Sequence, residues 1–202
     1  MVLMRPFQPT DPRGDSLLRT EVRTDEHKGL LDFYLNEAKN CEENLTSFTY
    51  DIVSDDGNFL GFFCVSNSLL LLDEKEIMTE FKRKKNVSFA PPATLLGKLY
   101  ICNCNRGTGI GSEVILYIAK EICFKSKSAS RFIIIDINAR NPNAVNFYTK
   151  RGWLHPRTYA RKMFFDLLRF KIFLKAYKEQ CRNSSAAEIL RLFAIYLQEE
   201  QN

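Results

Sequence analysis

The sequence predicts an α+β fold: a mixed central sheet flanked by helices, followed by a helical C-terminal extension. Three observations carry this. Short β-rich runs alternate with helical patterns in the order β-α-β-β-β-α-β-α-β. Two adjacent β-runs flank a hairpin signal, and one run, "FIIIDINA", is apolar on both faces and so belongs inside a sheet covered on both sides. At 202 residues the chain suits one domain with a sizeable core plus extras, and is too short for two comfortable domains.

From the N-terminus, "VLMRPF" opens as a short strand. Between Thr24 and Asn40, Leu30, Leu31, Phe33, Tyr34 and Ala38 recur at near-helical spacing, which predicts an amphipathic helix. "SFTYDIVSDDGNFLGFFCVS" supplies two β-rich runs around Asp56 and Gly57, a turn pair suited to positive φ. From Asn67 to Pro92 the pattern is mixed. It admits a short helix around Glu74–Lys84, either as a loop over a site or as a surface connection. "ATLLGKLYIC" then reads as a buried strand and Gly111–Ile122 as a helix, with "SRFIIIDINA" as the next strand. "NPNAVNFYTKRG" is a short helix, with Pro142 in its first turn and Gly152 at its exit. "ARKMFFDLL" forms one further strand. Beyond Asp166 the pattern turns helical, and "SSAAEILRLFAIYLQEE" carries a capping box from Ser185 to Glu188, with Ile189, Leu190, Phe193, Tyr196 and Leu197 on one face. The expected division is 1–168 as the main domain and 169–202 as an extension packed on it or at an interface.

Composition narrows the function classes. The chain is 45% apolar and 26% charged, and no apolar run approaches the roughly 20 residues of a membrane span. "MVLMRPFQPT" lacks the apolar stretch of a signal peptide, so a cytoplasmic location is expected. Six cysteines without a CxxC pair, and only two histidines, point to small buried hydrophobes and not to zinc. A net charge of +5, with clusters at Lys82–Lys85 and from Lys150 to Lys178, is a modest bias towards acidic partners such as phosphate-rich ligands or RNA, a solvated basic face being the commoner explanation of such clusters.

The chemistry concentrates in "NRGTGIGSEVILYIAKEI", from Asn105 to Ile122. Each of its three glycines costs roughly 0.5–1 kcal/mol relative to alanine in regular structure, so the segment needs either a sharp turn or close approach to its backbone. The first amides of a helix lack internal partners and sit at the positive end of its dipole, which makes an anion cradle there. Lys-Ser/Thr does not follow the last glycine, which excludes a P-loop, and G-x-G-x-G at 107, 109 and 111 is not the G-x-G-x-x-G of a dinucleotide fold.

What remains, Arg106-x-x-Gly109-x-Gly111 between a buried strand and a helix, resembles the acetyl-CoA pyrophosphate loop of the GNAT superfamily of N-acyltransferases. A second segment strengthens the resemblance. In "FIIIDINARNPNAVNFYTKRGW", Asn141, Ala144, Val145, Phe147, Tyr148, Gly152 and Trp153 fall at positions matching that family's following strand and helix, with Trp153 where Phe is usual. "PPATLLGKLYI" ahead of the loop looks most like the toxin-type branch, although Lys98 stands where Arg is more common. The resemblance implies a GNAT-like sheet, acetyl-CoA as acyl donor and a primary amine as acceptor, in that branch the α-amine of aminoacyl-tRNA. Pyrophosphate would be held at Arg106, Gly107, Thr108, Gly109, Ile110, Gly111 and Ser112, and the pantetheine amides by the backbone of Leu99, Tyr100 and Ile101. Arg106 either adds charge or supports the turn.

Asn141 would lie beside the cofactor or serve as a helix N-cap. Tyr148 would be the general acid to the leaving thiolate or a core aromatic. Many relatives carry a glutamate before the loop; "LLGKLYI" has only Lys98, leaving Asp136, Glu80 or a water relay as candidate base. An α-amine with pKa near 8 needs less help than a lysine amine, which leans towards an α-amine acceptor. Proteins, polyamines and small amines stay open as acceptors, as does a non-catalytic CoA-binding module. The toxin-type reading adds tRNA as a partner, and the C-terminal helices offer either a homodimer or an antitoxin interface.

Overall fold

The computed structural model describes residues 2–7, 25–71, 90–125, 129–137, 142–156 and 161–200. Its strands, β1 (Val2–Pro6), β2 (Phe48–Ser54), β3 (Phe59–Leu69), β4 (Pro92–Ile101), β5 (Phe132–Asp136) and β6 (Lys162–Asp166), form one six-stranded sheet in that order. β1 and β3 both run antiparallel to β2, β4 is parallel to β5, and β6 closes antiparallel on β5. This is the expected mixed sheet. The helix expected around Glu74–Lys84 and the basic run Lys82–Lys85 lie outside the described residues. Among the described residues no helix is long and apolar enough to cross a membrane. Two compact units are distinguished, Met1–Ser66 with Leu96–Val114, and Asn67–Leu95 with Ile115–Asn202.

In the first unit, α1 (Asp25–Asp32) passes through a π turn (Phe33–Glu37) into α2 (Ala38–Glu43), a single helical run where the periodicity predicts one. Leu31, Phe33, Tyr34 and Ala38 from it are buried with Phe59, Phe62, Cys64, Tyr100 and Cys102. The Tyr34 hydroxyl donates to a carboxylate oxygen of Asp51 at 2.8 Å, and Arg5 Nε lies 3.4 Å from the other oxygen. Asp51 has no exposure at all, so these partners are what make its burial tolerable. The β2–β3 turn is a three-residue loop in which Gly57 alone is left-handed (φ 76°), the Ser54 amide meeting the Asn58 carbonyl at 2.9 Å. Asp56 takes an ordinary φ because a type I turn followed by one left-handed residue needs only the glycine.

In the second unit, Phe132 to Ile135 of β5 are all buried, as a strand covered on both faces requires. Next come α4 (Pro142–Thr149), α5 (Leu167–Ala176), α6 (Lys178–Arg182) and α7 (Ala186–Glu199). β6 stops at Asp166, short of the "LL" the sequence reading included, because the Asp166 carboxylate accepts from the Arg169 amide at 2.9 Å and so caps α5. Arg131 also pairs with that buried carboxylate. The Ser185 hydroxyl accepts from the Glu188 amide at 3.3 Å, the predicted cap of α7. Phe165, Phe170, Phe173 and Phe193 interlock with ring centroids 5.0 to 6.2 Å apart. At about 1.5–3 kcal/mol per buried large side chain, this cluster is the main fastening of α5 and α7.

Candidate active site

The glycine segment is built from β4, a short 3-10 turn (Asn103–Asn105) and α3 (Ile110–Lys120). Gly107 and Gly109 adopt φ of 78° and 95°, where a side chain is strained, and a β-carbon on either would meet nothing within 4 Å. The two glycines are therefore required by backbone conformation and surrounded by open space. Gly111 differs: it lies in the first turn of α3 with a helical backbone. The carbonyl of Gly109 accepts from the Ser112 and Glu113 amides at 2.8 and 3.2 Å, which starts the helix. The amides of Gly107, Thr108, Gly109, Ile110 and Gly111 donate to no protein group among the described residues. Five consecutive amides without a protein acceptor among the described residues, at a helix start, are donors that an anion could use.

Side chains brace this loop and stay out of it. Arg106 Nε donates to the Ile101 carbonyl at 3.1 Å, with its guanidinium 5.8 Å from the centre of the Tyr100 ring. The Thr108 hydroxyl donates to the Asn105 carbonyl at 2.7 Å. Ser112 is fully buried. Of the strand segment, Tyr100 is buried, with Leu99 and Ile101 half-buried on either side. The ladder between β4 and β5 pairs Ala93, Thr94 and Leu95 with Phe132, Ile133 and Ile134, and ends well before β4 does at Ile101.

Tyr148 occupies the last turn of α4, half-buried. The helix ends in a Schellman motif: the Gly152 amide bonds the Thr149 carbonyl at 3.1 Å, the Trp153 amide bonds the Tyr148 carbonyl at 3.3 Å, and Gly152 has φ 80°. This gives the spacing of Tyr148, Gly152 and Trp153 a physical reason. The residue whose carbonyl receives the outer bond and the residue just beyond the glycine are the pair whose side chains meet in such a terminus. Their rings do meet, edge to face at 5.1 Å. Burial pushes the Tyr148 phenol up to about 12, with Arg151 pulling the other way. No group among the described residues hydrogen-bonds its hydroxyl.

Asn141 and Glu80 lie outside the described residues. Asp136, a candidate base, is largely exposed at the end of β5, 4.0 Å from Lys162. Lys98 stacks its ammonium 5.5 Å over Phe33. Sequence reasoning missed Asp51, which strand alternation in "FTYDIVS" does not distinguish from an outward polar residue, and Asp166, which it read as strand.

No family model matches the chain, and no curated protein matches it by sequence. By structure the likeness is extensive. AtaT in complex with acetyl-methionyl-tRNAfMet superposes with a TM-score of 0.67 at 16% identity, covering 86% of this chain and 99% of that one. The fold is that of the GNAT-type toxins. A tyrosine-to-phenylalanine variant of KacT gives 0.65 at 17% identity over 83% and 95% of the two chains. AtaTR bound with AcCoA gives 0.61 at 16% over 86% and 98%. This chain thus spans nearly the whole of each GNAT-type neighbour, and the sheet expected from the resemblance is borne out.

Proposed function

We propose that this protein is an acetyl-CoA-dependent N-acetyltransferase that acetylates the α-amine of aminoacyl-tRNA. The observation that carries the reading is the run of five amides, Gly107 to Gly111, open to a phosphate at the start of α3. A GNAT-type fold supports it, since matching structures hold acetyl-CoA and an acetylated aminoacyl-tRNA. The amides receive the pyrophosphate, braced by Arg106, Thr108 and Ser112. Backbone groups of Leu99, Tyr100 and Ile101 bond the pantetheine arm. Asn141 assists beside the cofactor. Residues 1–168 act as the transferase domain and 169–202 as its helical extension. Both substrates place the reaction in the cytoplasm. An antitoxin is a further partner, by analogy with AtaT bound to the C-terminus of AtaR.

In the reaction the neutral amine attacks the thioester carbonyl, a C–N bond forms, and the C–S bond breaks to release CoA thiolate. The amine gives up one proton and the sulfur gains one. Tyr148 stays protonated at working pH, because burial holds its phenol near 12. Its complete transfer to a thiolate of ordinary pKa near 8.5 is uphill by several kcal/mol. Tyr148 therefore acts first as a hydrogen-bond donor to the charge developing on sulfur. Full proton transfer follows as the phenol is reprotonated by the ammonium of the tetrahedral intermediate. Two neighbouring toxins were solved as tyrosine-to-phenylalanine variants, which supports attention to a tyrosine.

The test is labelled acetyl-CoA offered with aminoacylated bulk tRNA, lysine peptides, polyamines and small amines in parallel. Label in the aminoacyl moiety of charged tRNA is expected; label only in another amine overturns the acceptor assignment, and none at all the enzymatic reading. Tyr148→Phe should lower turnover by about 10²-fold or more while leaving CoA affinity unchanged, the usual scale for a general acid. The rate should rise with pH to a plateau above about 8, where an α-amine is neutral. No alkaline fall is expected until the phenol itself ionises near 12.

A further inference from the structure

Among the described residues nothing holds the Tyr148 hydroxyl, and there its ring is oriented by ring contacts. On one side is its neighbour Phe147, at 88° and 5.0 Å, itself covered by the Arg151 guanidinium 3.7 Å from the ring centre. On the other is Trp153, the chain's only tryptophan, 2% exposed. The indole Nε1 is buried and has no acceptor among the described residues. An orphaned buried donor is destabilising, a cost that a phenylalanine at this position would not incur. A local rule broken at such a cost is expected where a side chain serves a site. What the larger indole gains is reach. It reaches both Tyr148 and Phe165, the latter at 5.7 Å, and Phe165 packs at a tilt on Phe193 of α7 at 5.0 Å. The same helix closes over the turn itself: a β-carbon on Gly152 would lie 2.8 Å from Phe193 Cδ1.

We infer that Trp153 is a positioning residue for Tyr148, and that α7 sets the tyrosine through the relay Phe193, Phe165 and Trp153. The inference rests on the role given to Tyr148 above. It makes the C-terminal helix part of the catalytic apparatus at one remove, touching no substrate.

Two single variants and one double variant test it, with acetyl transfer from acetyl-CoA to aminoacylated bulk tRNA as the assay. Trp153→Leu should lower kcat about tenfold or more while the KM for acetyl-CoA stays within about twofold, since the tyrosine is misplaced and the amide nest is not. Trp153→Phe, which restores an aromatic edge, should recover most of kcat. In a Tyr148→Phe background, Trp153→Leu should cost nothing further, because a group without a hydroxyl has no position to lose. If Trp153→Leu is fully active while Tyr148→Phe is not, the inference fails and the role of Tyr148 stands. If Tyr148→Phe is itself fully active, both fail. Should Trp153→Leu not fold, Phe193→Leu takes its place with the same expected split in kcat and KM. A readout independent of acceptor is the phenol titration, followed by NMR of ring-labelled tyrosine. Trp153→Leu should titrate below the wild type, because solvent reaches the ring while Arg151, the charged group acting on it, is unchanged. An unmoved titration counts against the relay.

Discussion

Two left-handed glycine turns in this molecule look alike in sequence and are opposite in use. Gly109 (φ 95°) precedes α3 with no atom within 4 Å of where its β-carbon would be, whereas Gly152 (φ 80°) follows α4 with Phe193 at 2.8 Å. One glycine faces open space; the other lets two parts of the chain close on each other. The difference teaches how to separate binding from folding in a glycine motif. In the proposed function the groups at work around Gly109 are backbone amides, which need only access. Beside Gly152 the group given a role in that proposal is the Tyr148 side chain, which stands against the Trp153 ring.

The comparison breaks most visibly at Gly109→Val. Left-handed strain costs about 1–2 kcal/mol, too little to unfold a domain, but the branched side chain fills the approach to the five amides. CoA affinity by isothermal titration should fall by about 10²-fold or more, the loss of two charge-assisted bonds, with the circular dichroism spectrum unchanged. Undiminished affinity in a folded variant would remove the amide nest from the site. Gly152→Ala should do the reverse. The same strain plus overpacking against Phe193 amounts to about 2–5 kcal/mol of lost stability, while CoA affinity in the surviving folded fraction is kept. Chemical denaturation measures the first and titration the second.

Which of these was legible in the sequence follows the same line. Glycine spacing, the alternation of strands and helices, and the Ser185 to Glu188 cap are local signals, and each was found where expected. The left-handed glycines and the unaccepted amides beside them could be anticipated because they depend on backbone alone. Packing could not. Nothing in "TKRGW" says that Gly152 abuts a helix more than thirty residues later, or that Trp153 leans on Phe165. Asp51 and Asp166 were illegible for a related reason. A carboxylate in a strand reads as outward-facing until its partners, Tyr34 and Arg5 or Arg131, are brought to it by the fold.

A finer test asks whether Phe193 is the source of the Gly152 effect. In the double variant Gly152→Ala with Phe193→Leu, the smaller side chain vacates the volume that the new methyl enters. The two losses should then sum to about 1 kcal/mol more than the double variant shows, a coupling typical of residues in contact. Strict additivity would mean that Gly152 matters only for its left-handed φ, and the packing half of the comparison would fall.

The smallest expected effect belongs to Arg106. A cation beside a pyrophosphate loop invites the view that it binds phosphate, yet its Nε already donates to the Ile101 carbonyl at 3.1 Å and its guanidinium lies over Tyr100. If the loop works through amides, Arg106 braces the turn, and its removal costs a hydrogen bond and an exposed cation–π contact, about 1–2 kcal/mol together. Arg106→Ala should therefore weaken CoA by no more than about 30-fold, short of Gly109→Val. The salt dependence of binding separates the two roles. A bracing arginine leaves the slope of log affinity against log salt unchanged when it is removed, whereas one that neutralises phosphate makes the slope shallower. A loss equal to that of Gly109→Val, with a shallower slope, would show that side-chain charge holds the anion here as much as the amides do.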